Sequence, residues 1–232
     1  MEAVVLAGGL GTRLRPIIRD IPKPMALINE RPFLHYLLSS LSHFDVSRII
    51  LCIGYKHEVV QRYFGASFQG IPISYSIEDE PLGTGGAAAQ ALRFVNEHSF
   101  IVLNGDTYFE ADIRRMHRLH RDQDADCTMA LKTMHNFDRY GTITLDNARV
   151  ISFQEKRFCA EGLINGGIYI VKKSIFENNE FPRKFSLERD FLEKRVSTLR
   201  VFGTAFDGYF IDMGMPEDYQ RARRELPGRA VL

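Results

Sequence analysis

The stretch that most limits what this chain can fold into runs from Ala3 to Pro24, AVVLAGGLGTRLRPIIRDIPKP. It opens with an apolar run, Ala3-Val4-Val5-Leu6-Ala7. A Val-rich run of that length, closed by glycines, reads as a parallel strand buried on both faces. Gly8, Gly9 and Gly11 follow. They permit a tight turn and let backbone N–H groups come close to an anion. Thr12, Arg13 and Arg15, and later Lys23 before Pro24, add donors and positive charge near the same place. Such a loop suits the phosphates of a nucleotide. The bland alternative is a structural glycine turn, but a simple turn has no need of three nearby cations.

Two common phosphate loops do not fit. The P-loop requires Gly-Lys-Ser/Thr after four spacer residues, whereas Gly11 is followed by Thr12-Arg13. The dinucleotide fingerprint requires a third glycine where Leu14 stands, and an acidic residue at the end of the second strand. That strand, Arg48 to Ile53, runs instead into Gly54-Tyr55-Lys56. By contrast, Leu6-Ala7-Gly8-Gly9-Leu10-Gly11-Thr12-Arg13-Leu14 with Lys23-Pro24 resembles the signature of the sugar-1-phosphate nucleotidyltransferases.

Length and composition agree with a single enzyme domain. The 232 residues suffice for one α/β unit, and 45% hydrophobic content excludes a disordered chain. A net charge of +1 gives no basic field for nucleic acid or an anionic membrane. Cys52, Cys127 and Cys159 are odd in number and far apart, so neither a disulfide framework nor a zinc site is expected. The histidines form no metal-binding spacing. No apolar run reaches membrane-spanning length and no signal peptide is visible, so a cytoplasmic enzyme is expected.

Along the chain, strands are expected at Arg48–Ile53, Ile73–Ile77 and Ser99–Leu103. Helices are expected at Phe33–Phe44, His57–Phe64 and Gly83–Asn96. This alternation predicts a parallel sheet flanked by helices. Past Asp106 a helix at Ile113–Arg121 precedes closely spaced strands at Cys127–Thr133, Gly141–Leu145, Arg149–Phe153 and Gly166–Val171, a partly antiparallel pattern. Ser186–Arg195 and Pro216–Glu225 read as helices, Thr198–Phe202 and Tyr209–Ile211 as strands. The fold class is therefore α/β: a Rossmann-like mixed, mainly parallel sheet. The resemblance implies the fold of nucleotide-diphospho-sugar transferases. It divides residues 1–232 into a nucleotide-binding half, about 1–110, and a sugar-phosphate half, about 111–225. No hexapeptide repeat is present, so no left-handed β-helix is expected.

The resemblance also implies roles. The family joins a nucleoside triphosphate to a sugar 1-phosphate with release of pyrophosphate, and uses Mg²⁺. Arg13, Lys23 and Asp106 match its catalytic positions, and Asp106 with Asp212 matches its metal pair. Nucleotide binding falls to Leu6, Ala7, Gly8, Gly9, Gly11, Thr12, Arg13, Glu78, Glu80, Pro81, Gly83, Thr84 and Gly105. Gly141, Glu155, Lys156, Asn165, Gly166 and Glu188 fall on the sugar-phosphate side. Each has an ordinary alternative: a strand-end cap for either aspartate, a solvated pair for Glu155-Lys156, a turn for Asn165-Gly166-Gly167, a helix start for Ser186-Leu187-Glu188.

The stretch Glu78-Asp79-Glu80-Pro81-Leu82-Gly83 resembles the family's base-reading loop. Thymidylyl and uridylyl relatives place a glutamine where Glu78 stands. A carboxylate only accepts hydrogen bonds, and guanine offers N1–H and N2–H₂ side by side, so Glu78 or Glu80 makes GTP the expected nucleotide. By resemblance alone, the implied sugar is D-glycero-α-D-manno-heptose 1-phosphate, with mannose 1-phosphate next and an amino-sugar phosphate with UTP third. Members that only sense nucleotide sugars usually lose a signature cation or carboxylate. Here Arg13, Lys23, Asp106, Lys156 and Asp212 are all present. A homo-oligomer is left open.

Overall fold

The opening apolar run forms β1 (Glu2–Leu6), and its alternation assigns the two faces of the sheet. Ala3 and Val5 enter one core cluster and Val4 enters another, all fully buried. Both faces being covered, the strand carries no polar alternation. The structure, a computed structural model, describes residues 1–9, 11 and 21–229.

After β1 come two short strands, β2 (Leu27–Ile28) and β3 (Arg31–Pro32), which pair antiparallel. Pro32, with φ −60°, leads directly into α1 (Phe33–Leu41), where its missing N–H costs no helical bond. Leu34, Leu37, Leu38 and Leu41 bury one stripe of α1 against the β1 face; each contributes about 1.5–3 kcal/mol of apolar burial. Next follow β4 (Arg48–Ile53), α2 (His57–Phe64), β5 (Ser67–Phe68) and β6 (Ile71–Ile77). Helix α3 (Gly83–Ala91) lies on the opposite face, with Ala87, Ala88 and Ala91 letting it approach the sheet closely. It passes into a tighter turn at Leu92–Phe94, so the regular helix stops short of Asn96.

Then come β7 (Ser99–Asn104), β8 (Thr107–Phe109), α4 (Ile113–Asp122), β9 (Cys127–Phe137), β10 (Thr142–Asp146), β11 (Arg149–Gln154) and β12 (Cys159–Lys172). The last elements are α5 (Ser174–Glu177), a π-wound segment Leu187–Leu192 continuing as α6 (Glu193–Arg195), β13 (Val201–Phe206), β14 (Phe210–Asp212) and α7 (Pro216–Glu225). The strand expected at Thr198–Phe202 is displaced, because Thr198 and Leu199 bond back to the Arg195 carbonyl before pairing begins at Val201.

One ten-stranded sheet runs in the order β10-β11-β13-β9-β12-β7-β1-β4-β6-β5. Parallel pairing holds for β7-β1-β4-β6 and for β9-β13, while β12 runs antiparallel to both β7 and β9. The sheet is thus mixed, with its parallel part concentrated in the first half. At the far end β10 also pairs with β12, so five strands curl into a closed loop. Strand β12 begins seven residues before the expected Gly166. It passes through a bulge in which residues 166–168 oppose only Ala130 of β9. Gly167 there has φ +74°, the left-handed region that glycine tolerates best. A third cluster, including Ala26, Phe33, Tyr108, Ile211 and Tyr219, fastens α7 and the β8–β14 pair to the back of α1.

His120 on α4 is buried between Thr128 Oγ1 and Ser99 Oγ, each 3.1 Å from a ring nitrogen. Burial holds its pKa down to about 4. Lys172 and His117 add to the effect, against Asp126 and Asp124. The unfolded chain protonates this histidine near 6.5, so the native state loses stability as pH falls from about 6.5 towards 4, by roughly 3 kcal/mol in all. Denaturant titrations at pH 7 and pH 4.5 should show this loss, and His120→Gln should flatten it. Parallel profiles for the two proteins would contradict the assignment.

Candidate active site

The chain leaves β1 outward to β4 and β6, then returns through α3 to β7 on the other side of β1. The carboxyl ends of β1 and β7 therefore flank the point where strand order reverses, which is where open α/β sheets bind ligands. A cleft of about 300 Å³ opens there. Leu6, Ala7, Gly8, Gly9, Lys23, Glu78, Pro81, Gly83, Thr84, Gly105 and Asp106 line it, joined by Pro24, Ala87 and Asn104. Gly11 (φ +56°) packs beside the cleft: a Cβ there would lie 2.6 Å from Lys23 Cβ. Thr12 and Arg13 lie outside the described residues.

Lys23 Nζ donates to Asp106 Oδ2 at 2.6 Å. The lysine side chain is only 10% exposed and that of Asp106 is 41% exposed, so one carboxylate edge still faces the cleft. The backbone fixes Asp106 from both sides. Gly105 N donates to the Leu6 carbonyl at 3.0 Å, and Met213 N donates to the Asp106 carbonyl at 2.9 Å. Gly105 is needed for this fit, since a Cβ would stand 2.7 Å from the Leu6 carbonyl oxygen.

Asp212 ends β14, opposite Thr107 of β8, the residue that follows Asp106. Burial raises its pKa, as does the Asp106 charge, while Lys23 and Arg139 oppose the shift. Two neighbouring carboxylates form a donor set suited to a hard dication, which takes one or two carboxylates plus phosphate oxygens. Among the described residues no cluster of three metal-binding side chains exists.

Glu78 is buried at the end of β6. Its Oε2 accepts from Leu82 N at 3.2 Å, and its Oε1 lies where a Cβ on Gly8 would collide with it. Burial raises the carboxyl's pKa and the Leu82 N–H partly offsets this. Glu80, by contrast, is exposed and paired with Arg183 at 2.8 Å, outside the cleft lining. In the first turn of α3, Gly85 N and Gly86 N both donate to the Phe185 carbonyl, at 3.0 and 3.3 Å.

The sugar-side residues fall into two groups. Asn165 and Glu188 are woven into internal hydrogen bonds, with Asn165 Oδ1 accepting from Gly167 N at 2.9 Å. Gly166 packs under Phe109 and Ala130, where a side chain would overlap the Phe109 ring. Gly141 closes against the Gln154 carbonyl. Glu155 and Lys156 stand exposed in the connection between β11 and β12, away from the cleft lining.

Residues 2–228 match the nucleotidyl transferase family. The chain belongs to that family. It is 50% identical over 226 residues to a D-glycero-alpha-D-manno-heptose 1-phosphate guanylyltransferase of Aneurinibacillus thermoaerophilus, covering 97% of this chain and 98% of that one. A Campylobacter jejuni protein of the same description is 49% identical over 220 residues, covering 94% and 97%. The crystal structure of HddC from Yersinia pseudotuberculosis superposes with a TM-score of 0.87 at 39% identity, covering 97% and 98%. Its complex with GMP-PN gives 0.85.

Within this family member, the sequence reading gave no role to Asn104 or Tyr169. Asn104 ends β7 two residues before Asp106, lines the cleft, and keeps a buried Oδ1 without a partner. Its place in Asn104-Gly105-Asp106 was the available signal. Tyr169 is fully buried inside a strand, and nothing in sequence marks it.

Asp106→Asn should lower turnover about 100-fold or more while the melting midpoint moves only a few degrees, since the backbone contacts at residue 106 remain. Turnover close to wild type would remove Asp106 from the chemistry.

Proposed function

We propose that the chain transfers GMP from GTP to a sugar 1-phosphate, D-glycero-α-D-manno-heptose 1-phosphate first among candidates, and releases pyrophosphate. The observation that carries this reading is the buried Glu78 carboxylate lying over Gly8 in the same cleft as Lys23 and Asp106. Guanine's adjacent N1–H and N2–H₂ donors suit that carboxylate, whereas uracil or thymine would set a carbonyl against it. The resemblance to two guanylyltransferases at 49–50% identity, and to a protein complexed with GMP-PN, supports the same nucleotide.

A phosphomonoester oxygen attacks the α-phosphorus; the bond to the β-phosphate oxygen breaks and pyrophosphate departs. The second pKa of a phosphomonoester is about 6, so the nucleophile is already anionic and no general base is needed. The protein's task is to align two polyanions and offset their repulsion. Lys23 would meet the phosphates over the glycine loop, with Arg13 expected beside it. Asp106 and Asp212 would hold Mg²⁺, which supplies charge neutralisation across the reacting phosphates. Glu155 and Lys156, exposed at the β11–β12 connection, would approach the sugar phosphate, with Gly141, Asn165 and Gly166 around the ring. Release of pyrophosphate, as opposed to mere binding, separates this reading from a nucleotide-sugar sensor.

Pyrophosphate release measured across GTP, UTP, dTTP, ATP and CTP with heptose, mannose, glucose and glucosamine 1-phosphates should peak at GTP with the heptose. Turnover with UTP or dTTP alone would overturn the guanine assignment. Glu78→Gln should cut the preference for GTP over UTP about tenfold; unchanged preference would place base recognition elsewhere.

A further inference from the structure

Five polar side chains form one hydrogen-bonded line from the nucleotide cleft into the sugar half. Thr84, the second residue of α3, accepts from Leu187 N at 2.9 Å and donates to Glu188 Oε2 at 2.6 Å. Ser186 Oγ donates to the same oxygen at 2.8 Å. Tyr169 donates to Glu188 Oε1 at 2.8 Å and accepts from Asn165 Nδ2 at 2.6 Å. Asn165 Oδ1 in turn accepts from Gly167 N across the β12 bulge. Every hydroxyl in the line donates towards the carboxylate, so each bond polarises the next.

This arrangement changes what Glu188 can do. A carboxylate accepts about four hydrogen bonds, and three hydroxyls already occupy this one. Glu188 is an internal anchor, and the group it serves through Tyr169 is the Asn165 carboxamide. With its nitrogen fixed by Tyr169 and its oxygen by Gly167 N, that amide has one N–H and one lone pair left for a ligand, in a single flip state.

We infer that Tyr169 is a positioning residue for the sugar 1-phosphate: anchored by Glu188 and Thr84, it holds the Asn165 carboxamide in the one orientation that meets the sugar. The inference rests on the sugar-side placement of Asn165 proposed above. Tyr169 itself is fully buried, so it acts through the groups it bonds, Asn165 and Glu188. Its action is pre-organisation, which removes a cost the amide would otherwise meet on binding. Because Thr84 also lines the nucleotide cleft, the same line ties the two substrate sites to one anchor.

The test is a double-mutant cycle in the full chain, with GTP and D-glycero-α-D-manno-heptose 1-phosphate. Tyr169→Phe should raise KM for the sugar phosphate about five- to tenfold and change KM for GTP less than about twofold. Asn165→Ala should raise the sugar KM at least as much. In the Asn165→Ala background, Tyr169→Phe should add almost nothing, because its only route to the sugar is gone. Additive effects would overturn the inference, as would equal rises in both KM values, which mark general loosening. If Tyr169→Phe fails to fold, Glu188→Gln takes its place in the cycle, since its amide oxygen still accepts from a hydroxyl. Absence of turnover by the wild-type chain with any sugar 1-phosphate would overturn the functional reading and this inference with it. Turnover with an additive cycle would overturn the inference alone.

Discussion

The Lys23 ammonium rests 2.6 Å from Asp106, and through that contact the chain emerging from the glycine loop is tied to the end of β7. The two groups lie 83 residues apart in sequence. What brings them together is strand order: β1 and β7 are parallel neighbours, so their carboxyl ends open at one edge. The ion pair gives a buried lysine its counter-charge and leaves part of the carboxylate free.

The rest of the site depends on the same geometry. Parallel β6 ends beside β4, which ends beside β1, so Glu78 comes to lie over Gly8. Glycine at position 8 is required because any Cβ would occupy the carboxylate's place. The Phe185–Glu188 segment, from the other half of the chain, then closes on α3. Its backbone carbonyl takes the first helical N–H groups, and its carboxylate gathers the hydroxyls of Thr84, Ser186 and Tyr169. Helix α3 and strand β12 are thus held by one short piece of chain.

Much of this was legible in the sequence. Arg48–Ile53 and His57–Phe64 carry clean apolar periodicity between turn residues, and both elements have the expected bounds. Gly8, Gly9, Gly105-Asp106 and Glu78 stood out through local motifs and the family resemblance, and they line one cleft. Long β12 was not: its bulge at Asn165-Gly166-Gly167 looks like a turn in sequence, and only pairing with β9 and β7 reveals a continuous strand. Glu80 looked equivalent to Glu78, yet Arg183, distant in sequence, draws it to the surface. Tyr169 was invisible for a related reason. An aromatic residue in a buried strand reads as core, and its hydroxyl matters only because Asn165 and Glu188 converge on it.

The central claim is that the Lys23–Asp106 pair marks where the triphosphate and its cation are received. A crystal structure of the chain with a non-hydrolysable GTP analogue and Mg²⁺ tests it most directly. The account predicts Lys23 Nζ transferred from Asp106 to a phosphate oxygen, Mg²⁺ between Asp106 and Asp212, and the guanine edge against Glu78. A nucleotide bound elsewhere, with the Lys23–Asp106 contact intact, would contradict it.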